Sequence, residues 1–175
     1  MRIHDREFLE PFWVSSELPW EQRHSGNAWI DLYLRMRREE RAGVALHLAM
    51  SIDGRFAGQV DLERIDRHAR TADVGLWMSS EYTRRGIAGG IGDLFLDFVF
   101  GELGLERLSA AICIDNAPAR HLAEYVGFEY EGTMADYLDV GGHRRDHDLW
   151  AVTASMWRAD RAAHTDDPQS RRFAT

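Results

Sequence analysis

The chain contains no lysine, so its 21 basic residues are all arginine. That excludes a P-loop, whose phosphate contact is a lysine followed by Ser or Thr after the second glycine. Cysteine is almost as scarce. Cys113 stands alone, which excludes an internal disulfide and fits a reducing cytoplasm. Its place in the apolar run AAICI reads as burial rather than nucleophilic duty. No apolar run approaches the roughly 20 residues of a membrane span, and no signal-peptide pattern opens the sequence, so a membrane is set aside as a partner. An excess of basic charge is missing too. The net charge is −8, which sets nucleic acid aside and suits a cationic acceptor. Internal repeats and low-complexity segments are absent.

What remains is ordinary globular material. A chain of 175 residues with 45% hydrophobic and 11% aromatic content has room for one core, which predicts a single domain. Residues 1–20 read as a short helix broken at Pro11, then an aromatic loop ending at Pro19 and Trp20. Trp29, Ile30, Tyr33, Leu34 and Met36 fall near helical spacing and predict a helix over 27–40, with the arginines at 35–41 on its solvated face. Strands are expected at 44–52 and 55–65 around the Asp53-Gly54 hairpin signal, then at 71–78. A helix over 87–102, a buried strand at 107–114 and a helix opening at Asn116 with Pro118 in its first turn follow. Segments 128–140 and 145–153 alternate around Gly141-Gly142 as a final hairpin. This order predicts one mixed α/β sheet with helices packed on it, a folded unit over 1–158 and a polar tail over 159–175.

The chemistry concentrates at residues 74–90, VGLWMSSEYTRRGIAGG. A strand that runs into a glycine-rich basic turn and then a helix presents bare backbone N–H groups to an anion. The dinucleotide fingerprint G-x-G-x-x-G fails here, because counting from Gly86 its later glycines fall on Ala88 and Ile91. By itself the turn is a weak signal. Three segments together say more: this turn, NAPARHLAEYVGFEYEG, and YLDVGGHRRDHDLWAVT.

Those segments resemble the GNAT superfamily of N-acetyltransferases, and within it the RimJ/RimL type that acetylates protein N-termini. The resemblance implies a mostly antiparallel sheet splayed in its middle, helices on both faces, and acetyl-coenzyme A as the acetyl source. It implies that the backbone of Trp77 and Met78 pairs with the pantetheine arm, with a strand N–H near Trp77 polarising the thioester carbonyl. Arg84, Arg85, Gly86, Ile87, Ala88, Gly89 and Gly90 are implied to cradle the pyrophosphate, and Asn116 to touch the cofactor arm. Asp66 matches the position of a carboxylate proposed as base, with Glu63 as a second candidate; both equally suit the capping of a turn. A homodimer is compatible with the resemblance.

The departures are specific. Thr83 stands where Gln or Arg usually opens the turn, Ala119 replaces a frequent serine, and Ala123 replaces the tyrosine that serves some relatives as general acid. The first strand of the family is expected to be missing, because the chain begins with a helix-like segment, or else Met1 is an internal start. His143, Asp146, His147 and Asp148 resemble metal ligands in type, but strand alternation would send them to different places, so no metal is expected. Tyr137, Arg145 and Asp146 shape the acceptor cleft or serve structure. Trp13, Trp20 and Trp29 read as core, in a segment that by resemblance borders that cleft. Three functions fit: acetylation of a protein or peptide N-terminus, acetylation of a small amine such as an antibiotic or polyamine, and a module that binds coenzyme A without turnover.

Overall fold

The computed structural model describes residues 2–83, 85 and 87–165, with Ala88, His164 and Thr165 described in backbone only. Helices α1 (Arg6–Leu9), α2 (Trp20–Arg23) and α3 (Gly26–Ala42) come first. Strands β1 (Leu46–Ile52), β2 (Arg55–Asp66) and β3 (Thr71–Met78) then form an antiparallel meander. Helix α4 (Ile87–Leu96) continues as a π-helical stretch over Asp97–Glu102, so the helix expected over 87–102 is present with a wider last turn. Strand β4 (Arg107–Cys113), helix α5 (Ala117–Val126), the hairpin β5 (Glu129–Val140) and β6 (His143–Thr153), and helix α6 (Ala154–Thr165) complete the chain.

The sheet has six strands in the order β1-β2-β3-β4-β6-β5. Every neighbouring pair is antiparallel except β3 and β4. That parallel pair is short. Thr71, Ala72 and Asp73 pair with Arg107, Leu108 and Ser109, and nothing beyond them pairs. From Val74 to Met78 on one strand and Ala110 to Cys113 on the other, the two diverge and open the sheet.

One face carries the main core. Leu62, Leu108, Val99 and Val152 are fully buried there, with Leu96, Phe100 and Trp150 around them. α4 and α5 pack closely because glycines face bulky neighbours. A Cβ on Gly89 would lie 2.3 Å from Cε1 of Tyr125, and one on Gly92 would lie 2.6 Å from Cγ2 of Val126. The opposite face carries a smaller cluster in which Leu9, Trp20 and Trp77 are buried with Trp13 against them. Trp13 and Trp20 are thus core-like as expected, whereas Trp29 is 48% exposed.

Several boundaries differ from the sequence reading, most by one or two residues. Residues 159–165 belong to α6 rather than to a tail, because the inner side of that helix is anchored: Trp157 donates Nε1–H to Oδ1 of Asp97 at 3.0 Å, and Arg161 pairs with the same carboxylate. The polar residues there are the outward face of a packed helix; the rest of the expected tail lies outside the described residues. Val44 precedes β1, its carbonyl already committed to the N–H of Ile65 at 2.9 Å. At the start of the chain, residues 2–5 turn and α1 follows, so no strand precedes the first helix among the described residues. None of the described helices is long and apolar enough to cross a membrane.

Candidate active site

The gap between β3 and β4 is the natural centre. Ser79 N–H donates to the Ala57 carbonyl on β2 at 2.8 Å. Backbone polarity alternates along a strand, so the N–H and C=O of Trp77 also face β2, opposite Gln59, while those of Leu76 and Met78 face the gap. This refines the expected assignment. Met78, not Trp77, has the free backbone donor. The Trp77 side chain instead buries itself on the α3 face, 7% exposed, between Arg2, Trp13 and Phe56.

The strand leads through a 3-10 turn at Ser80–Tyr82 towards α4, and that turn is pinned from the start of the chain. Asp5, a buried carboxylate, accepts from Ser80 N–H at 3.2 Å and from Ser80 Oγ–H at 2.5 Å. Arg85 extends over the ring of Tyr82, 5.6 Å from its centroid. Arg84 and Gly86 lie outside the described residues. Ile87, Ala88, Gly89 and Gly90 form the first turn of α4, whose leading N–H groups have no intrahelical partner by construction. Gly89 therefore serves twice: it belongs to that first turn, and it makes room for Tyr125. Asn116 caps α5, its Oδ1 accepting Ala119 N–H at 3.2 Å, just beyond the end of β4.

A polar relay crosses the α3 face beside the gap. His47 Nδ1 and Asp61 Oδ1 are 2.6 Å apart, Gln59 Nε2–H donates to the same oxygen at 2.5 Å, and Gln59 Oε1 accepts from Arg2 Nη2 at 3.1 Å. The Arg2 guanidinium lies over Trp77 and Trp13, 4.6 and 5.0 Å from their ring centroids, and burial lowers its pKa. Arg2, His47, Gln59 and Trp77 line a cavity of about 540 Å³, together with Arg23, His24, Trp29, Tyr33, Arg37, Glu40 and Phe56. His24 is pushed down to about 4 by burial and by the positive charge of Arg2 and Arg23, so it is neutral at physiological pH. Arg2, Asp5, His47, Gln59 and Asp61 were not singled out from the sequence. The available signal was polar residues in otherwise apolar strands, H in L-H-L-A-M and Q and D in G-Q-V-D-L.

Asp66 and Glu63 are elsewhere. Asp66 pairs in register with Thr71 and Glu63 with Asp73, at the closed end where β3 and β4 are still joined. Five residues separate Glu63 from Gly58, the partner of Met78, which is roughly 17 Å along a strand. The Asp66 carboxylate accepts from His68 and Ala69 N–H, both at 2.8 Å, which holds its pKa below the ordinary carboxylate range. Asp66 thus caps a turn at the closed end of the strand pair. The hairpin residues are structural as well. Asp146 accepts the N–H of Asp136 at 2.9 Å, and Arg145 pairs with Asp115 at 3.1 Å. His143 and His147 share one side of β6, with Asp146 and Asp148 on the other.

The sheet thus opens between two parallel strands, with a free backbone edge on one side and the start of α4 at its end. Residues 3–129 match the acetyltransferase (GNAT) domain family, and the chain belongs to that family. GNAT acetyltransferases take their acetyl group from acetyl-CoA, and the free β3 edge and the start of α4 suit a long thioester arm and its phosphates.

Among solved structures, the chain is similar to RimJ of Mycobacterium smegmatis in complex with CoA-disulfide, with 32% identity, 93% of this chain and 81% of that one covered, and a TM-score of 0.85. It is 28% identical over 109 residues to a putative ribosomal N-acetyltransferase of Bacillus subtilis, covering 62% of this chain and 60% of that one. It is 30% identical over 112 residues to an L-amino acid N-acetyltransferase of Escherichia coli, covering 63% and 68%.

Proposed function

We propose that the protein transfers an acetyl group from acetyl-CoA to the α-amine of a protein or peptide N-terminus, by direct attack in a ternary complex. Support comes from the likeness to RimJ and to a putative ribosomal N-acetyltransferase. The carrying observation is the charge beside the gap: Arg2, Arg23 and Arg37 line the cavity against a single lining carboxylate, Glu40, which Arg37 already holds at 2.7 Å. Such a wall repels a polyamine, whose several ammonium groups need carboxylates. An α-amine carries one titrating nitrogen with a pKa of about 8, against about 10.4 for a lysine, so a useful fraction is already neutral.

Each residue then has a defined task. Met78 N–H donates to the thioester carbonyl oxygen, and Leu76 and Met78 hold the arm as an added strand would. Arg84 to Gly90 hold the pyrophosphate, with Arg84 or Arg85 adding charge, and Asn116 borders the arm while capping α5. The proton released by the amine passes through water to the Asp61–His47 pair. His47 sits two strands from β3, about 10 Å away, which is too far for direct transfer.

The test is thiol release from acetyl-CoA with three acceptors: a peptide with a free N-terminus, the same peptide blocked at its N-terminus but carrying a lysine, and spermidine. The expected result is turnover with the first alone. Turnover confined to spermidine would sink this reading, and so would no release above hydrolysis with any of the three.

A further inference from the structure

The cavity beside the gap is rich in donors that have nothing to donate to. Nε of Arg23, Nε2 of His24 and Nε1 of Trp77 are all buried, and each lacks a hydrogen-bond partner among the described residues. All three residues line that cavity. Arg23 and Trp77 can only donate; neutral His24 carries a proton on one of its two ring nitrogens. A buried donor without an acceptor is destabilising, so a cluster of them at one cavity points to a ligand that brings acceptor atoms.

The two guanidinium groups agree. Arg23 donates Nη1–H to the backbone carbonyl of Val14 at 2.8 Å and lies over Trp20, 4.9 Å from its centroid. Arg2 donates to the Gln59 amide and lies over Trp13 and Trp77. Both planes are fixed by aromatic rings, and neither forms an ion pair with a carboxylate among the described residues. Asp61 and Glu10 only bias them through space, raising the pKa of Arg2 and Arg23 respectively against the opposite pull of burial. A pre-oriented, partly buried guanidinium with free N–H groups is suited to a planar carboxylate. The place is apt as well. Trp77 adjoins Met78, so a carboxylate held at Arg2 stands beside the position where the amine must attack.

We infer that the acceptor is an amine that also carries a carboxylate, which Arg2 and Arg23 recognise with the Trp77 indole N–H. Two acceptors supply that chemistry: a free amino acid through its α-carboxylate, and a peptide whose first residue is Asp or Glu through its side chain. This rests on transfer to an α-amine as read above: the peptide source narrows that reading, and the free amino acid would replace its peptide acceptor while keeping the α-amine. The carboxylate selects and orients the acceptor without entering the chemical step.

The experiment compares isosteres on the wild-type protein, so it does not depend on any variant folding. Initial rates are measured with acetyl-CoA and four α-amines: glutamine, glutamine amide, a Glu-first peptide amide and its Gln-first counterpart, with spermidine as a fifth acceptor. One of the two carboxylate-bearing acceptors is expected to exceed its neutral isostere by about tenfold to a hundredfold in kcat/KM, mostly through KM. Whichever pair shows the preference identifies the source of the carboxylate. Arg23→Met and Arg2→Met are expected to erase the preference while CoA affinity, read by titration calorimetry, stays within about twofold.

Equal rates for acid and neutral forms in both pairs would overturn the inference and leave the α-amine reading standing. Spermidine as the sole acceptor would overturn both. A preference that survives both arginine substitutions, in variants that still bind CoA, would also overturn the assignment to these residues.

Discussion

The two faces of the sheet are built from opposite materials. On the α4–α6 face the buried residues are Leu62, Val99, Leu108 and Val152, with hydrocarbon packed on hydrocarbon. On the α1–α3 face the neighbours of Trp77 are an arginine and two other aromatic rings, and behind them run Gln59, Asp61 and His47. Both faces bury side chains, but three unpartnered donors gather at one cavity on the α1–α3 face, against one, Nε1 of Trp150, in the α4–α6 core. The apolar face fixes the sheet and the start of α4. The polar face holds groups whose hydrogen-bonding is incomplete without a ligand, and such sites normally do chemistry or recognition at some cost in stability.

The sharpest way to break this division is Asp61→Asn. The substitution keeps the shape of the side chain but removes the charge that His47 and Gln59 share. kcat/KM for the acceptor is expected to fall about tenfold, less than the 10²–10⁴ typical of a directly placed base, because water intervenes. CoA affinity should stay within about twofold. The unfolding midpoint should move far less than for truncation of a core leucine such as Leu108, which typically costs about 2–5 kcal/mol. An unchanged acceptor rate with a collapsed midpoint would make the polar face merely structural.

How far the sequence disclosed each face follows from the same contrast. Period and turn chemistry located the meander, both main helices and the final hairpin within a few residues, because hydrophobic alternation and signals such as Asp53-Gly54 act locally. The gap could be placed too, since the glycine turn and Asn116 mark its two rims. The relay was invisible for a different reason. His47, Gln59 and Asp61 come together only through the β1–β2 register, and Arg2 reaches them across 57 residues of chain to Gln59. The π-helical widening after Leu96 and the anchoring of α6 on Asp97 are likewise set by packing rather than by local pattern. Asp66 is the converse case. A motif position marked it, but only the register shows that it sits at the closed end.

A smaller effect should separate the faces by pH. His24 titrates near 4 in the folded protein, below its ordinary value of 6.5, because burial and the charges of Arg2 and Arg23 oppose its protonation. Between those values the unfolded chain binds the proton and the folded chain does not. The stabilisation is therefore complete above about pH 6.5 and is lost as the pH falls towards 4. Thermal unfolding of wild type and His24→Asn across pH 4–8 is the measurement. The variant is expected to lose less of its Tm on acidification than wild type. Parallel curves would mean that this face is no more sensitive to acid than the rest of the molecule.

The smallest effect belongs to the carboxylate that the family pattern favours as base. Asp66 is exposed, and its oxygen is spent on the N–H groups of His68 and Ala69 at the end of β2. Asp66→Asn keeps an oxygen acceptor for both, since Asn suits the same turn. Acceptor kcat and KM are expected to stay within about twofold of wild type, with the pH–rate profile superimposable. A loss of tenfold or more at saturating acetyl-CoA, in a variant that melts normally, would return Asp66 to the reaction. It would then require either a second path from the gap to the closed end of the sheet, or an acceptor long enough to span it. The contrast with Asp61 is what gives the comparison force. Both are aspartates on one strand, five residues apart by sequence, and the register alone decides which can serve an amine at Met78.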